Sequence, residues 1–363
     1  MTILIFILVL VVLIVGHEFG HFLAAKAARM RVLEFGIGFP PKAFGKKLWG
    51  ETEFSINWIP FGGFVRIFGE DPKDANAPGA FTEKHPLAQA FVLFAGPFAN
   101  IVLAFVLTWS AFVIGAPAIL DGEGSGGTVR DARLVVGEVL DNSPAEAAGI
   151  EAGDVLTAVV VGSEKRFLET PLDVSEAVSQ TTGPLTLSVV RDGVELDVVI
   201  EPIAGLIESD PAQRAIGVAT AHIGTVSYGP LEAATRSLTT TVESLVFIVV
   251  SLATLLGSAF TLSADLSQVA GPVGIASLTG EAAAFGLGSL LTFAALLSVN
   301  LAVVNLLPFP ALDGGRLLFL GIESVTRRKI PVGISGLFNS AGFALLILLM
   351  IAVTVGDVVR LLG

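Results

Sequence analysis

The chain contains no cysteine. Disulfide bonds and thiolate metal ligands are therefore excluded, and any bound metal must be held by His, Asp, Glu or Asn side chains. Charged residues are also scarce, at 15% of 363 residues against about 25% in a typical soluble domain. Because 53% of the residues are hydrophobic, the composition predicts an integral membrane protein.

Basic residues are fewer than acidic ones, 21 against 33, and the formal net charge of -12 argues against nucleic acid as a partner. The basic residues gather in two short loops, which the positive-inside rule places in the cytoplasm. The first loop contains Lys26, Arg29, Arg31, Lys42, Lys46 and Lys47, and the second contains Arg316, Arg327, Arg328 and Lys329.

Histidine occurs only four times, and two of the four lie in the motif His17-Glu18-Phe19-Gly20-His21 inside the first apolar run. Positions four apart share one face of a helix, so His17 and His21 can direct ring nitrogens at one metal ion. Glu18 can reach a water on that metal, as in HExxH zinc proteases. The alternative is a polar pair snorkelling toward the headgroups. We favour the metal site, because ionisable groups inside apolar spans cost about 2.5 to 3.5 kcal/mol each and usually serve a function.

The hydropathy pattern predicts a multi-pass α-helical membrane protein with about four transmembrane helices, at 1–25, 87–114, 285–308 and 337–356. The first run lacks the basic start of a signal peptide, so we expect it to be retained. An odd number of crossings must separate the acidic middle of the chain from the second basic loop. We therefore interpret 242–262, within a linker at 204–283, as an interfacial or partly inserted helix.

Short β-branched and aromatic runs within 26–86 predict a small membrane-associated β-sheet on the cytoplasmic side, next to the histidine motif. An exposed sheet edge could pair with the backbone of an extended substrate. The sheet could equally be a structural plug, and the sequence leaves both interpretations open. In the second span, small residues around Asn100 predict close helix packing, in which its amide can bond across helices.

A catalytic zinc takes three protein ligands and keeps one open position, and the first span supplies only two. Asp313 is the natural third ligand, in the segment 309–336, because Pro308 and Pro310 break the helix before it and free the backbone. Asn300 and Asn305 on the third span are either interhelical contacts or donors that hold a substrate backbone.

A linker at 115–133 precedes a separate extracytoplasmic α+β domain at 134–203, with short strands and one amphipathic helix near 172–180. The segment 142–154 resembles the signature of PDZ domains. This resemblance implies a peptide groove between a strand and that helix, with a backbone loop near 134–136 at its end. The groove would serve substrate docking or a size filter.

Several motifs together resemble the site-2 protease family of intramembrane zinc metalloproteases, in the bacterial branch typified by RseP and RasP. They are the HEFGH motif, Phe35–Phe39, Ile59–Phe64, Ala95-Gly96-Pro97 with Asn100, Gly271-Pro272-Val273 and Asn305–Gly315. The resemblance implies regulated intramembrane proteolysis of single-span proteins, such as anti-sigma factors or remnant signal peptides, after another protease has trimmed them. It also implies a location in the bacterial inner membrane, with the active site toward the cytoplasm.

By the matching motifs, the resemblance implies that zinc is bound by His17, His21 and Asp313. Glu18 would act as the base, and Asn305, together with Asn300, would position the substrate. Two other functions remain as alternatives. A metal transporter should carry further ionisable residues along its path, but only Asp265, near a break, qualifies. A membrane scaffold would have no need of Glu18.

Overall fold

The computed structural model describes residues 1–70, 77–120, 126–191, 193–207, 210–260, 270–328 and 330–362. The chain forms two compact units: Met1–Ala111 together with Pro230–Gly363, and Phe112–Gly229. Some predictions lie outside the described residues. They concern Asp265, Lys329, the centre of the predicted linker (121–125) and residues 71–76 of the predicted segment 26–86.

The helices follow in chain order: α1 (Thr2–Ala27), α2 (Pro86–Ile114), α3 (Pro144–Ala147), α4 (Pro171–Ser179), α5 (Pro230–Phe260), α6 (Pro272–Ala284), α7 (Leu287–Leu306), α8 (Asp313–Thr326) and α9 (Val332–Leu362). Within the described residues, five of them are long and apolar enough to cross a membrane, namely α1, α2, α5, α7 and α9. The sequence predicts about four, so the structure adds one candidate span.

The additional candidate is α5, which begins at Pro230 rather than at residue 242. Its first half is rich in threonine and serine. The hydroxyls of Thr235, Ser237 and Thr239 donate to backbone carbonyls one turn earlier, so these polar groups are satisfied inside the helix. This local bonding lets the helix run through a stretch of low hydropathy. Residues 261 and 262 of the predicted interfacial helix lie outside the described part of the chain.

The small sheet consists of β1 (Val32–Trp49) and β2 (Thr52–Ile67), which pair antiparallel. Both strands are long and irregular, so the start of β1 pairs on both of its sides: with the start of β2 and with Gly63–Ile67 at its end. That last segment is therefore an edge of the sheet. The rings of Phe22, Phe35 and Phe54 lie 5.4 to 5.7 Å apart and attach the sheet to α1.

The inserted unit is built on a sheet with the strand order β3-β11-β4-β5-β7-β8, and β6 also pairs with β5. Its strands are β3 (Ala116–Ile119), β4 (Thr128–Val139), β5 (Val155–Val161), β6 (Glu164–Phe167), β7 (Leu185–Arg191), β8 (Val194–Ile200), β9 (Ile203–Ala204), β10 (Arg214–Ala215) and β11 (Val218–Ser227). The unit thus extends beyond the predicted 134–203 at both ends. The physical reason is β11, which lies between β3 and β4 and ties residues of both predicted linkers into the sheet.

A groove of about 320 Å³ runs between α4 and the first half of β11. Val174 and Val178 line it from the helix, and Val218 lines it from the strand. Leu134 and Val136, expected in a loop at the end of the groove, instead lie within β4 with their side chains buried in the core. The segment that lines the groove just before β11 is Ile216–Gly217.

Candidate metal centre

The two histidines of α1 are buried on one face of an otherwise apolar helix. His17 is 7% exposed and His21 is 9% exposed. Their Nε2 atoms lie 3.2 Å apart, as expected for positions four apart on a helix. Both nitrogens therefore point at one place.

Asp313 brings a carboxylate to the same place from the far end of the chain. Its Oδ2 atom lies 3.0 Å from Nε2 of His17 and 3.2 Å from Nε2 of His21. Asp313 is the first residue of α8, where the helix dipole favours an acidic side chain. A side chain at Gly314 would overlap the carbonyl oxygens of Leu306 and Leu307, so the Asp-Gly-Gly sequence is what lets α8 turn back closely on the end of α7.

The three atoms suit a zinc ion in both chemistry and spacing. Zinc takes imidazole nitrogen and carboxylate oxygen at about 2.0 to 2.2 Å, so tetrahedral ligands lie about 3.3 to 3.6 Å from one another. The separations of 3.0 to 3.2 Å are slightly below the lower end of that range. Gly96 of α2 keeps this space open, because a Cβ atom at position 96 would overlap Nε2 of His21 and lie 2.8 Å from Nε2 of His17.

The other ring nitrogen of each histidine, Nδ1, faces a polar group on α2. Nδ1 of His21 lies 2.8 Å from the backbone carbonyl of Val92, and Nδ1 of His17 lies 3.2 Å from the side-chain amide of Asn100. A hydrogen bond at the outer nitrogen fixes the ring orientation and decides which nitrogen is free for a metal.

Glu18 faces the same cavity, whose volume is about 280 Å³. A Cβ atom at Gly63 would lie 3.3 Å from Cγ of Glu18, so the edge segment of the small sheet runs beside this carboxylate. The cavity is also lined by His17, His21 and Asp313, and by residues of α2, α7, α8, the sheet and the segment after it, including Phe64, Val65, Glu70, Asn305 and Arg316.

The structure thus brings together five of the six site residues that the sequence singles out. The sixth, Asn300, is exposed on α7 and does not line the cavity, because five positions along a helix turn it to a different face from Asn305. Sequence reasoning missed the ion pair of Arg316 with Glu70, at 2.5 Å. Arg316 follows Asp313 by one helical turn, which is a usable signal, whereas nothing in the sequence links Glu70 to α8.

The chain is similar to known proteins over most of its length. The sequence model of the family described as "Peptidase family M50" matches residues 5–349. The zinc metalloprotease RasP of Oceanobacillus iheyensis is 31% identical to the chain, with 99% of each sequence covered. RasP of Geobacillus kaustophilus is 30% identical and covers 98% of this chain and 97% of its own. Among solved structures, the PDZ domain of the SdrC-like protein Lin2157 from Listeria innocua matches 24% of this chain and 92% of its own, with 15% identity and a TM-score of 0.20.

Proposed function

The chain belongs to peptidase family M50 and is a zinc metalloendopeptidase of a multi-pass membrane type, and we propose that it cuts single-span membrane proteins within or near their transmembrane segments. The observation that carries this proposal is the position of the site. His17, Glu18 and His21 lie inside α1, a candidate span, and Asp313 follows the end of α7, another candidate span.

The geometry supports the following roles. His17, His21 and Asp313 would hold zinc, which when bound supplies Lewis-acid activation of a water molecule and of the scissile carbonyl. Glu18 accepts the proton of the attacking water at a carboxylate oxygen and returns it to the leaving amine. The side-chain amide of Asn305 lines the cavity, where it can donate to the substrate backbone.

A transmembrane substrate is helical and hides its amides, so the cleaved stretch must unwind first. The edge segment Gly63–Ile67 supports a way to hold it extended. Among the described residues, this segment pairs with a strand on one side only, and Phe64 and Val65 line the cavity beside Glu18. We propose that the substrate backbone adds to this edge as a further strand.

We further propose that the inserted unit is an extracytoplasmic PDZ-like domain that docks substrates or excludes those that are too large. The support is its groove, in which α4 faces β11 at a point that β3 does not reach. An extended peptide could add to that part of β11 and place apolar side chains against Val174 and Val178. The first basic loop, which follows α1 and its histidine motif, supports a cytoplasmic side for the metal centre.

The test is cleavage in reconstituted liposomes of bacterial inner-membrane lipids. Two versions of one single-span substrate are compared: one with a folded extracytoplasmic domain and one trimmed to a short tail. We expect the trimmed version to be cut at least about tenfold faster, and mass spectrometry of its products should place the cut inside the span. Cuts confined to loops outside the membrane would contradict the proposal.

A further inference from the structure

The side chain of Asn100 is completely buried at the interface of α1 and α2. Its amide nitrogen Nδ2 lies 3.2 Å from Nδ1 of His17. Its amide oxygen Oδ1 is buried and has no hydrogen-bond partner among the described residues. A buried oxygen without a hydrogen-bond partner destabilises the folded state, so a partner for Oδ1 is expected.

The two histidines differ in what they meet at the outer nitrogen. Nδ1 of His21 faces the carbonyl oxygen of Val92. A carbonyl can only accept, so the proton of His21 is fixed on Nδ1 and its Nε2 lone pair is free for a metal. Nδ1 of His17 faces an amide, which can either donate or accept. The tautomer of His17 therefore depends on how the Asn100 amide is turned.

With Nδ2 toward the ring, Asn100 donates to Nδ1, and the proton of His17 must be on Nε2, where it donates to Asp313 at 3.0 Å. That tautomer has no Nε2 lone pair for a metal. Turning the amide by 180° exchanges two groups of nearly the same shape. Oδ1 would then accept from Nδ1–H of His17, and the metal-binding tautomer would be the stable one.

We propose that Asn100 is a positioning residue for His17, whose amide oxygen accepts the Nδ1 proton and so selects the tautomer that binds zinc through Nε2. The inference rests on the proposed zinc site. The backbone around Asn100 is suited to this role, because its carbonyl oxygen accepts a hydrogen bond from the buried Ser298 hydroxyl of α7 at 2.8 Å. The amide can therefore turn while the main chain stays in place.

The test measures zinc affinity of the purified full chain in detergent, by competition with a chelator, so it does not depend on cleavage. Asn100→Leu keeps the size but removes both polar atoms, and we expect it to weaken zinc binding by about 10- to 100-fold. Asn100→Asp retains an acceptor and should bind zinc at least as tightly as wild type. Ser237→Ala is the matched control: it removes the buried hydrogen bond from the Ser237 hydroxyl to the Ala233 carbonyl within α5, which does not involve Asn100 or His17, and should stay within about twofold.

A second measurement needs no variant. In zinc-free wild-type protein labelled with ¹⁵N-histidine, the nitrogen chemical shifts of neutral His17 should already show the proton on Nδ1. A proton on Nε2 in the zinc-free protein, or zinc binding within about twofold of wild type in Asn100→Leu, would overturn the inference while leaving the zinc site intact. A wild-type chain that binds no zinc would overturn the proposed function as well.

Discussion

Nε2 of His17 lies 3.0 Å from Oδ2 of Asp313, although 296 positions separate the two residues in the chain. The candidate metal centre therefore forms only when the first helix and the start of α8 are held together. What holds them is close packing: glycines at the contacts leave room for ligands and carbonyl groups where any side chain would overlap them.

Replacement of Gly96 by alanine should remove the metal. The new methyl group would occupy the space between the Nε2 atoms of His17 and His21, so at least one ring must turn away. We expect the zinc content of the purified protein to fall by at least about tenfold, with cleavage lost in proportion. Gly257→Ala is a suitable control, because a Cβ atom there has no neighbour within 4 Å. Normal zinc content in Gly96→Ala would show that the space beside the two Nε2 atoms accommodates a methyl group.

The two asparagines of α7 should differ in their effect on catalysis. Asn305 lines the cavity and Asn300 is exposed on another face. We expect Asn305→Ala to lower kcat by about 100-fold while zinc content is unchanged, since a donor to the reacting carbonyl is lost. Asn300→Ala should stay within about twofold, as for an ordinary surface substitution. Kinetics of both variants on one trimmed substrate, with metal analysis, test the assignment; equal losses would contradict it.

The inserted unit should owe part of its stability to one ion pair. Asp154 is 1% exposed and accepts hydrogen bonds from Nε and Nη2 of Arg191, each at 2.7 Å. This bidentate pairing with Arg191 holds the pKa of Asp154 below its ordinary value of 3.8. Asp154→Asn should lower the free energy of unfolding at pH 7 by about 2 kcal/mol, the usual contribution of a hydrogen bond to a charged group.

The sign of the pH dependence follows from the lowered pKa. A carboxylate whose pKa is lower in the folded state stabilises that state fully above the ordinary pKa and loses this effect as pH falls through the folded pKa. The difference between wild type and Asp154→Asn should thus be constant from pH 7 to about pH 5 and shrink below 3.8. Urea unfolding of the fragment 112–229 measures it. Asp141→Asn, at an exposed carboxylate, is the control, and a difference that persists unchanged at pH 2 would refute the role of this pair.

Much of this architecture could be predicted because it depends on local patterns. The apolar runs identify α1, α2, α7 and α9, and the histidine spacing identifies two ligands on one helix face. Asp313 could be predicted as a candidate ligand because prolines and glycines mark a helix break at the end of a span. The place of Asn305 on the same span did not separate it from Asn300, which does not line the cavity.

Contacts between residues that are far apart in the sequence could not be predicted from local patterns. Nothing in the sequence Val218–Ser227 indicates that this strand lies between β3 and β4, so the inserted unit was predicted too short at both ends. The start of α5 was missed because its hydroxyl groups bond within the helix, which hydropathy does not register. The contact of Asn100 with His17 depends on which faces of α1 and α2 pack together. The sequence predicts only that Asn100 lies at a close helix contact, where its amide can bond across helices.

The role of Glu18 is tested most directly by comparing wild type with Glu18→Gln on a trimmed single-span substrate in detergent, with bound metal quantified in both. Glutamine keeps the shape of the side chain beside Gly63 but cannot accept the proton of the attacking water. We expect both proteins to bind the same amount of zinc and only wild type to cut. Cleavage by Glu18→Gln at the wild-type rate, or no cleavage by zinc-loaded wild type on any of several trimmed substrates, would contradict it.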